Sequence, residues 1–112
     1  MSIDEFFTAI TAVFPDVPIF FEEIDVEEGD ELPPNYIYFE SGTTIALAAD
    51  NITYYSVTPI ELLVVQTNPI ANDDTLTAQV EDFLDTNRLV YTKQVGADSD
   101  IRATVTTYTF TI

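Results

Sequence analysis

The chain has no cysteine, no histidine and no tryptophan, only three glycines, and only three cations among 112 residues. Each scarcity removes a class of function. Without cysteine there is no disulfide framework, no thiolate nucleophile and no cysteine-ligated metal. Without histidine the usual general base, the side chain that titrates near neutral pH and the commonest transition-metal ligand are all missing. Gly29, Gly42 and Gly96 stand apart in the sequence, so no phosphate-cradling loop is available. No apolar run approaches the roughly 20 residues that span a bilayer. The start, Met1-Ser2-Ile3-Asp4-Glu5, lacks both the basic region and the apolar stretch of a secretory leader. A soluble chain with no membrane partner is therefore expected.

What is present is negative charge. Twenty Asp and Glu against three Lys and Arg give a formal charge of −17, and no cation precedes Arg88. Seven of the ten residues from Glu22 to Glu31 are acidic. Such a chain repels phosphate, because it offers almost no cation to displace counterions from a nucleic-acid backbone. It also repels its own copies unless salt screens them. The surplus of acids over lysine further fits a host with a salty cytoplasm. At 46% apolar and 12% aromatic the composition is nonetheless that of a globular domain, and a single domain over 1–112 is expected.

Hydrophobic spacing gives the elements. Ser2 followed by Glu5 is a capping-box pattern, and Ile3, Phe6, Phe7, Ile10, Val13 and Phe14 recur at helical spacing until Pro15 and Pro18 stop the helix. Val17–Phe21 is a short strand. Glu22–Glu31 with Pro33-Pro34 then forms an exposed loop or hairpin excursion. Tyr36–Phe39 is a strand, which Ile45–Ala49 continues or opposes, and Asp50-Asn51 is a turn. Thr53–Gln66 is β-rich. Ile60, Leu62 and Val64 alternate with Leu63 and Val65, so both faces are apolar and a central strand covered on both sides is predicted. Pro59 cannot donate to a ladder, which places a bulge or an edge near it. Asn68-Pro69 ends this strand. Asn72 or Asp73 then caps a second helix over Asp74–Thr86, with Leu76, Val80, Phe83 and Leu84 buried. Leu89–Val95 and Ile101–Ile112 form a hairpin around Gly96–Asp100. The apolar phase slips between Val105 and Tyr108, which predicts a bulge at Thr106-Thr107. The result is an α+β domain with two helices on a mostly antiparallel sheet, in the order α, three or four strands, α, two strands.

Candidate chemistry is thin. Close carboxylate pairs occur by chance among twenty acids and mark solvated surface, so no catalytic residue and no cofactor is expected. Asp25, Glu27, Glu28, Asp30 and Glu31, or Asp98 and Asp100, offer hard oxygens but do not match a calcium loop. No metal site is predicted. The candidate site residues belong instead to contact surfaces. Tyr54 and Tyr55 are aromatic anchors for an interface, one of which would face the core in an alternating strand. Arg88, Lys93 and Arg102 are cations placed to pair with a neighbouring subunit's carboxylates.

The layout resembles the tail-terminator, or tail-completion, proteins of long-tailed phages and related viruses. The resemblance rests on "LPPNYIYFESG", "AADNITYYSVTPIELLVVQTN", "DDTLTAQVEDFLD" and the closing "RLVYTKQVGADSDIRATVTTYTFTI". Within these, Ala49-Asp50-Asn51, Tyr54-Tyr55, Leu76, Val80-Glu81, Leu84 and Tyr108/Phe110/Ile112 carry it; the acidity departs from it. The resemblance implies an α+β sandwich and a virion protein, not an enzyme. Its copies would form a ring, usually hexameric, that caps the tail tube and offers a face to the head connector at the head-tail junction. Such a ring would be assembled in the host cytoplasm, with DNA passing through the lumen without specific binding. A head-side connector or stopper protein is the neighbouring alternative. An acidic inhibitor that mimics nucleic acid is the alternative from another class.

Overall fold

The computed structural model describes residues 1–23, 35–49, 53–67, 75–98 and 103–112, with the backbone alone at 45–49, 53–56, 67, 75 and 98. Two helices and seven strands follow in the order α1 (Ile3–Val13), β1 (Ile19–Phe21), β2 (Asn35–Ser41), β3 (Ile45–Ala49), β4 (Thr53–Val57), β5 (Pro59–Thr67), α2 (Thr75–Thr86), β6 (Thr92–Asp98), β7 (Ala103–Thr111). This is the expected α+β class.

Ser2 starts α1 as predicted, its Oγ accepting the Glu5 N–H at 3.1 Å. The helix ends at Val13, where Phe14 N–H still reaches Ile10 O, and Pro15 and Pro18 follow. Strands β1-β2-β5-β7-β6 form the main sheet, β1 and β2 parallel and every other neighbour antiparallel. Both helices lie on one face. Phe6, Ile10 and Phe14 of the first and Val80, Phe83 and Leu84 of the second pack with Ile37, Phe39, Ile60, Leu62, Val64, Tyr108 and Phe110. Phe6 is the hub: its ring meets Phe39 and Phe83 edge to face at 5.2 and 5.8 Å and tilts against Phe110. Burial of such rings is the main favourable term of the fold.

β5 is central, as its two apolar faces indicated, but its second face is covered differently. Tyr36, Val65 and Ala103 are buried there, with Phe20, Tyr38, Leu63 and Val105 half-buried around them, and no helix among the described residues lies over them.

Five local expectations are corrected. Ile45–Ala49 neither continues nor opposes Tyr36–Phe39; β3 pairs with β4 in a two-stranded sheet of its own, while β2 pairs with β5. The run from Thr53 to Gln66 is therefore two strands broken at Thr58, which exchanges both backbone bonds with Ile112 at 2.9 Å. Pro59 sits at neither a bulge nor an edge but at the first position of β5, where a missing N–H costs least. The final strand has no bulge: its register runs unbroken against both β5 and β6. The slip in its pattern has another cause. Ala103 and Val105 serve the second face, Tyr108 and Phe110 serve the helix face, and the buried polar Thr106 fills the place between them. Gly96 also belongs to β6, opposite Val105, rather than to a turn.

The acidic segment beyond Glu23, the Asp50-Asn51 turn and the Asn72/Asp73 cap lie outside the described residues.

Candidate functional site

Of the five residues singled out, Tyr54 and Tyr55 occupy successive positions of β4, in register with Ala48 and Leu47. They are thus in the separate hairpin, not in the main sheet. Arg102 lies outside the described residues. Arg88 and Lys93 both flank the start of β6.

Arg88 holds an unusual backbone position. Leu89 N–H bonds Leu84 O at 2.9 Å and Arg88 N–H bonds Asp85 O at 3.0 Å, the two bonds of a Schellman cap on α2. Arg88 is the left-handed residue of that cap, with φ 57°, where glycine is usual. Its side chain is exposed. Lys93 stands opposite Tyr108 across the strand pair and turns toward α2, where its Nζ lies 3.2 and 3.4 Å from the two Glu81 oxygens. The pair is half-exposed, so its contribution is at most about 1 kcal/mol. It nonetheless supplies Lys93 with a carboxylate from its own chain.

Around this pair is a cluster that sequence reading missed. Tyr91 Oη donates to Glu81 at 3.5 Å, and its ring meets Tyr108 edge to face at 5.4 Å. Tyr108 is fully buried, and its hydroxyl lies near Glu81 without reaching hydrogen-bond geometry to it or to any other described residue. Burial first, and the nearby Glu81 charge second, push that hydroxyl far above the ordinary tyrosine range. Tyr91 is raised for the same reason, with Asp85 and Glu81 adding to it. No periodicity marks such a cluster, because its members come from α2, β6, β7 and the loop between.

A second cluster lies at the opposite edge. Tyr38 Oη donates to Glu40 Oε2 at 3.1 Å and lies 3.3 Å from the Glu22 carbonyl. Ser41 Oγ donates to Glu22 Oε1 at 2.9 Å, and Glu22 has φ 61°. The Tyr38 hydroxyl is raised by burial, then by Glu40.

The surface among the described residues also has open grooves, a small one of about 240 Å³ over Gln94, Gly96 and Val105 and two larger ones beside α1. One, of about 410 Å³, runs between the helices past Val13, Phe14, Asp82 and Phe83. The other, of about 360 Å³, lies between α1 and β1, past Phe7, Phe20 and Glu23. Neither brings an acid and a base together. Among the described residues no three His, Cys, Asp or Glu side chains are placed to hold a metal, and no helix is long and apolar enough to cross a membrane.

No family model matches the chain, and no curated protein is similar to it. A solved structure of a protein without a described function has the same fold, at a TM-score of 0.55 and 12% identity. The likeness covers 99% of this chain and 94% of that one. At that identity it speaks for the fold alone.

Proposed function

We propose that the chain is a structural virion protein, a tail terminator. Its copies close into a ring, the usual hexamer of the family it resembles, cap the tail tube and present a face to the head connector. The observation that carries the reading is the second sheet. Among the described residues β3 and β4 pair only with each other, and a lone two-stranded ribbon is marginal in water. A monomeric inhibitor or enzyme has little use for such a ribbon, whereas an assembly subunit gains its stability when neighbours pack on it. The α+β class that the resemblance implies is also the class of this chain, with five strands rather than three or four between its helices. The nucleic-acid-mimic reading is disfavoured by the placement of the acids. Described carboxylates sit on α1 (Glu5), on the sheet (Glu40, Glu61) and on α2 (Asp82, Asp85) rather than along one face.

The test is mass by light scattering on a sizing column at low and high salt, with negative-stain images, repeated with purified tail-tube protein. A salt-promoted hexamer with a central hole that stops tube growth is expected. A stable elongated dimer at low salt would overturn the reading in favour of the mimic.

A further inference from the structure

We infer that copies of this chain associate head to tail through opposite edges of the main sheet, β6 of one copy against β1 of the next. This contact is the subunit contact of the ring proposed above and rests on that reading.

The two edges differ in charge. Residues 1–85 carry 18 carboxylates and no cation, whereas residues 86–112 carry two carboxylates and three cations. All the positive charge of the chain therefore lies in residues 86–112, with Arg88 just before β6 and Lys93 within it. At the other edge, β1 is flanked by exposed Asp16, Glu22 and Glu23. In a chain of −17, the β6 side holds both described cations, Arg88 and Lys93, so another copy's acidic surface meets less repulsion there than at the β1 edge. Asp98 ends β6 itself and the other acids there are those of α2, of which Lys93 already neutralises Glu81, so the cations offset the negative charge of this edge rather than reverse it.

The β6 edge is also open. Residues 92–97 are all exposed, Val95 at 61%. The strand has no proline and no bulge, and its one lysine turns toward α2. Those are the devices by which edges are normally protected. At Gly96 an added Cβ would still have 4.0 Å to the nearest atom. β1 is the other terminal strand and is unpaired on its outer side among the described residues.

Strand sense fits as well. β1 runs parallel to β2, and each later step across the sheet reverses direction. β6 therefore runs opposite to β1. Copies set side by side in one orientation bring β6 antiparallel to the next β1, the better-bonded arrangement. The two edges are different surfaces, so the contact is heterologous and closes into a ring or continues as a filament; it does not stop at a dimer.

Two experiments on the full chain, at a salt concentration where rings form, test this. Val95→Glu should weaken self-association at least tenfold while leaving the circular dichroism spectrum unchanged. Glu23→Lys should weaken it as well. The double variant V95E/E23K should recover to within about threefold of the unmodified chain. Recovery requires the two positions to meet, and a fold defect would not produce it. Unweakened association of V95E, or a double variant weaker than either single one, overturns the contact. The chain has no cysteine, so Gln94→Cys with Glu23→Cys and a short bismaleimide gives an independent reading. The double variant should give a ladder of covalent oligomers, and each single variant none. Covalent dimers from Q94C alone would show β6 meeting β6 and overturn head-to-tail order. Visible rings with no ladder would overturn the contact and leave the ring standing. A monomer at every salt would overturn both.

Discussion

The buried Tyr108 hydroxyl is the residue whose behaviour is easiest to forecast. A buried donor without a partner costs about 1–3 kcal/mol, and the ring around it is fully packed. Tyr108→Phe removes the hydroxyl and keeps the ring, so the variant is expected to be as stable as the parent or more stable by about 1 kcal/mol. Urea unfolding at neutral pH checks this, and a loss above 1 kcal/mol would reveal a partner. The same hydroxyl fixes an alkaline response. Its folded pKa is raised above the unfolded value of about 10. Below that pH both states keep the proton and the contribution is complete. Above it the unfolded chain ionises while the folded one resists, so stability falls as pH rises. Y108F should flatten this fall, with Tyr38 and Tyr91 supplying the remainder. Gly42 makes the opposite case. A Cβ there would meet Pro59 Cγ at 2.7 Å, and Gly42 N–H is bonded to Pro59 O at 2.8 Å. A proline ring cannot swing aside, so Gly42→Ala should cost about 1–3 kcal/mol in the same assay. A neutral result would mean that the approach of the two segments is soft.

At the scale of elements, the two helices were legible because their signals are local. Ser2, Glu5 and the recurrence of Phe6, Ile10 and Phe14 suffice to place α1. Ser2→Ala is expected to lower thermal stability by about 1 kcal/mol through the lost Oγ acceptor. The strands were found, and with them the closing β6–β7 hairpin, but the other partners were not. Ile45–Ala49 and Thr53–Val57 are apolar in the same way as the central strands, and composition cannot say which strand bonds which. Only the register shows that they leave the main sheet. The last strand misled for a related reason, since a pattern that changes face looks like an inserted residue when one core is assumed. The end of α2 was placed at Thr86, where it is found, although its cap lacks the glycine that usually announces one. Arg88 there takes a conformation that costs an ordinary residue roughly 1 kcal/mol. Arg88→Gly should therefore raise the midpoint of urea unfolding slightly, by up to about 1 kcal/mol in stability, even after the greater freedom of glycine in the unfolded chain is counted. A stabilising result would mean that the arginine is kept for its exposed charge at the β6 edge. A loss would mean that its charge at the helix C-terminus matters more than the strain.

At the scale of the whole molecule, charge decides. The principal extents are 51 × 32 × 26 Å. At about 0.01 M salt the screening length is about 30 Å, so carboxylates on all sides of the molecule repel one another; at 1 M it is about 3 Å, and only immediate neighbours do. A net stability of about 5–15 kcal/mol leaves this repulsion room to matter. The melting temperature is therefore expected to rise by about 5–15 °C between those salt concentrations, corresponding to a few kcal/mol for a domain of this size. Assembly multiplies the effect, because a hexamer of −17 subunits gathers −102 charges. Rings should accordingly need more salt than folding does. Sodium chloride and sodium sulfate at equal ionic strength separate screening from other salt effects. Equal shifts in the two salts identify screening, whereas a larger shift in sulfate identifies exclusion of the salt from the protein surface. A melting temperature flat across the range would show that the carboxylates are too far apart, or too well solvated, to oppose the fold. The salt requirement of the ring would then have to arise at the subunit contacts alone.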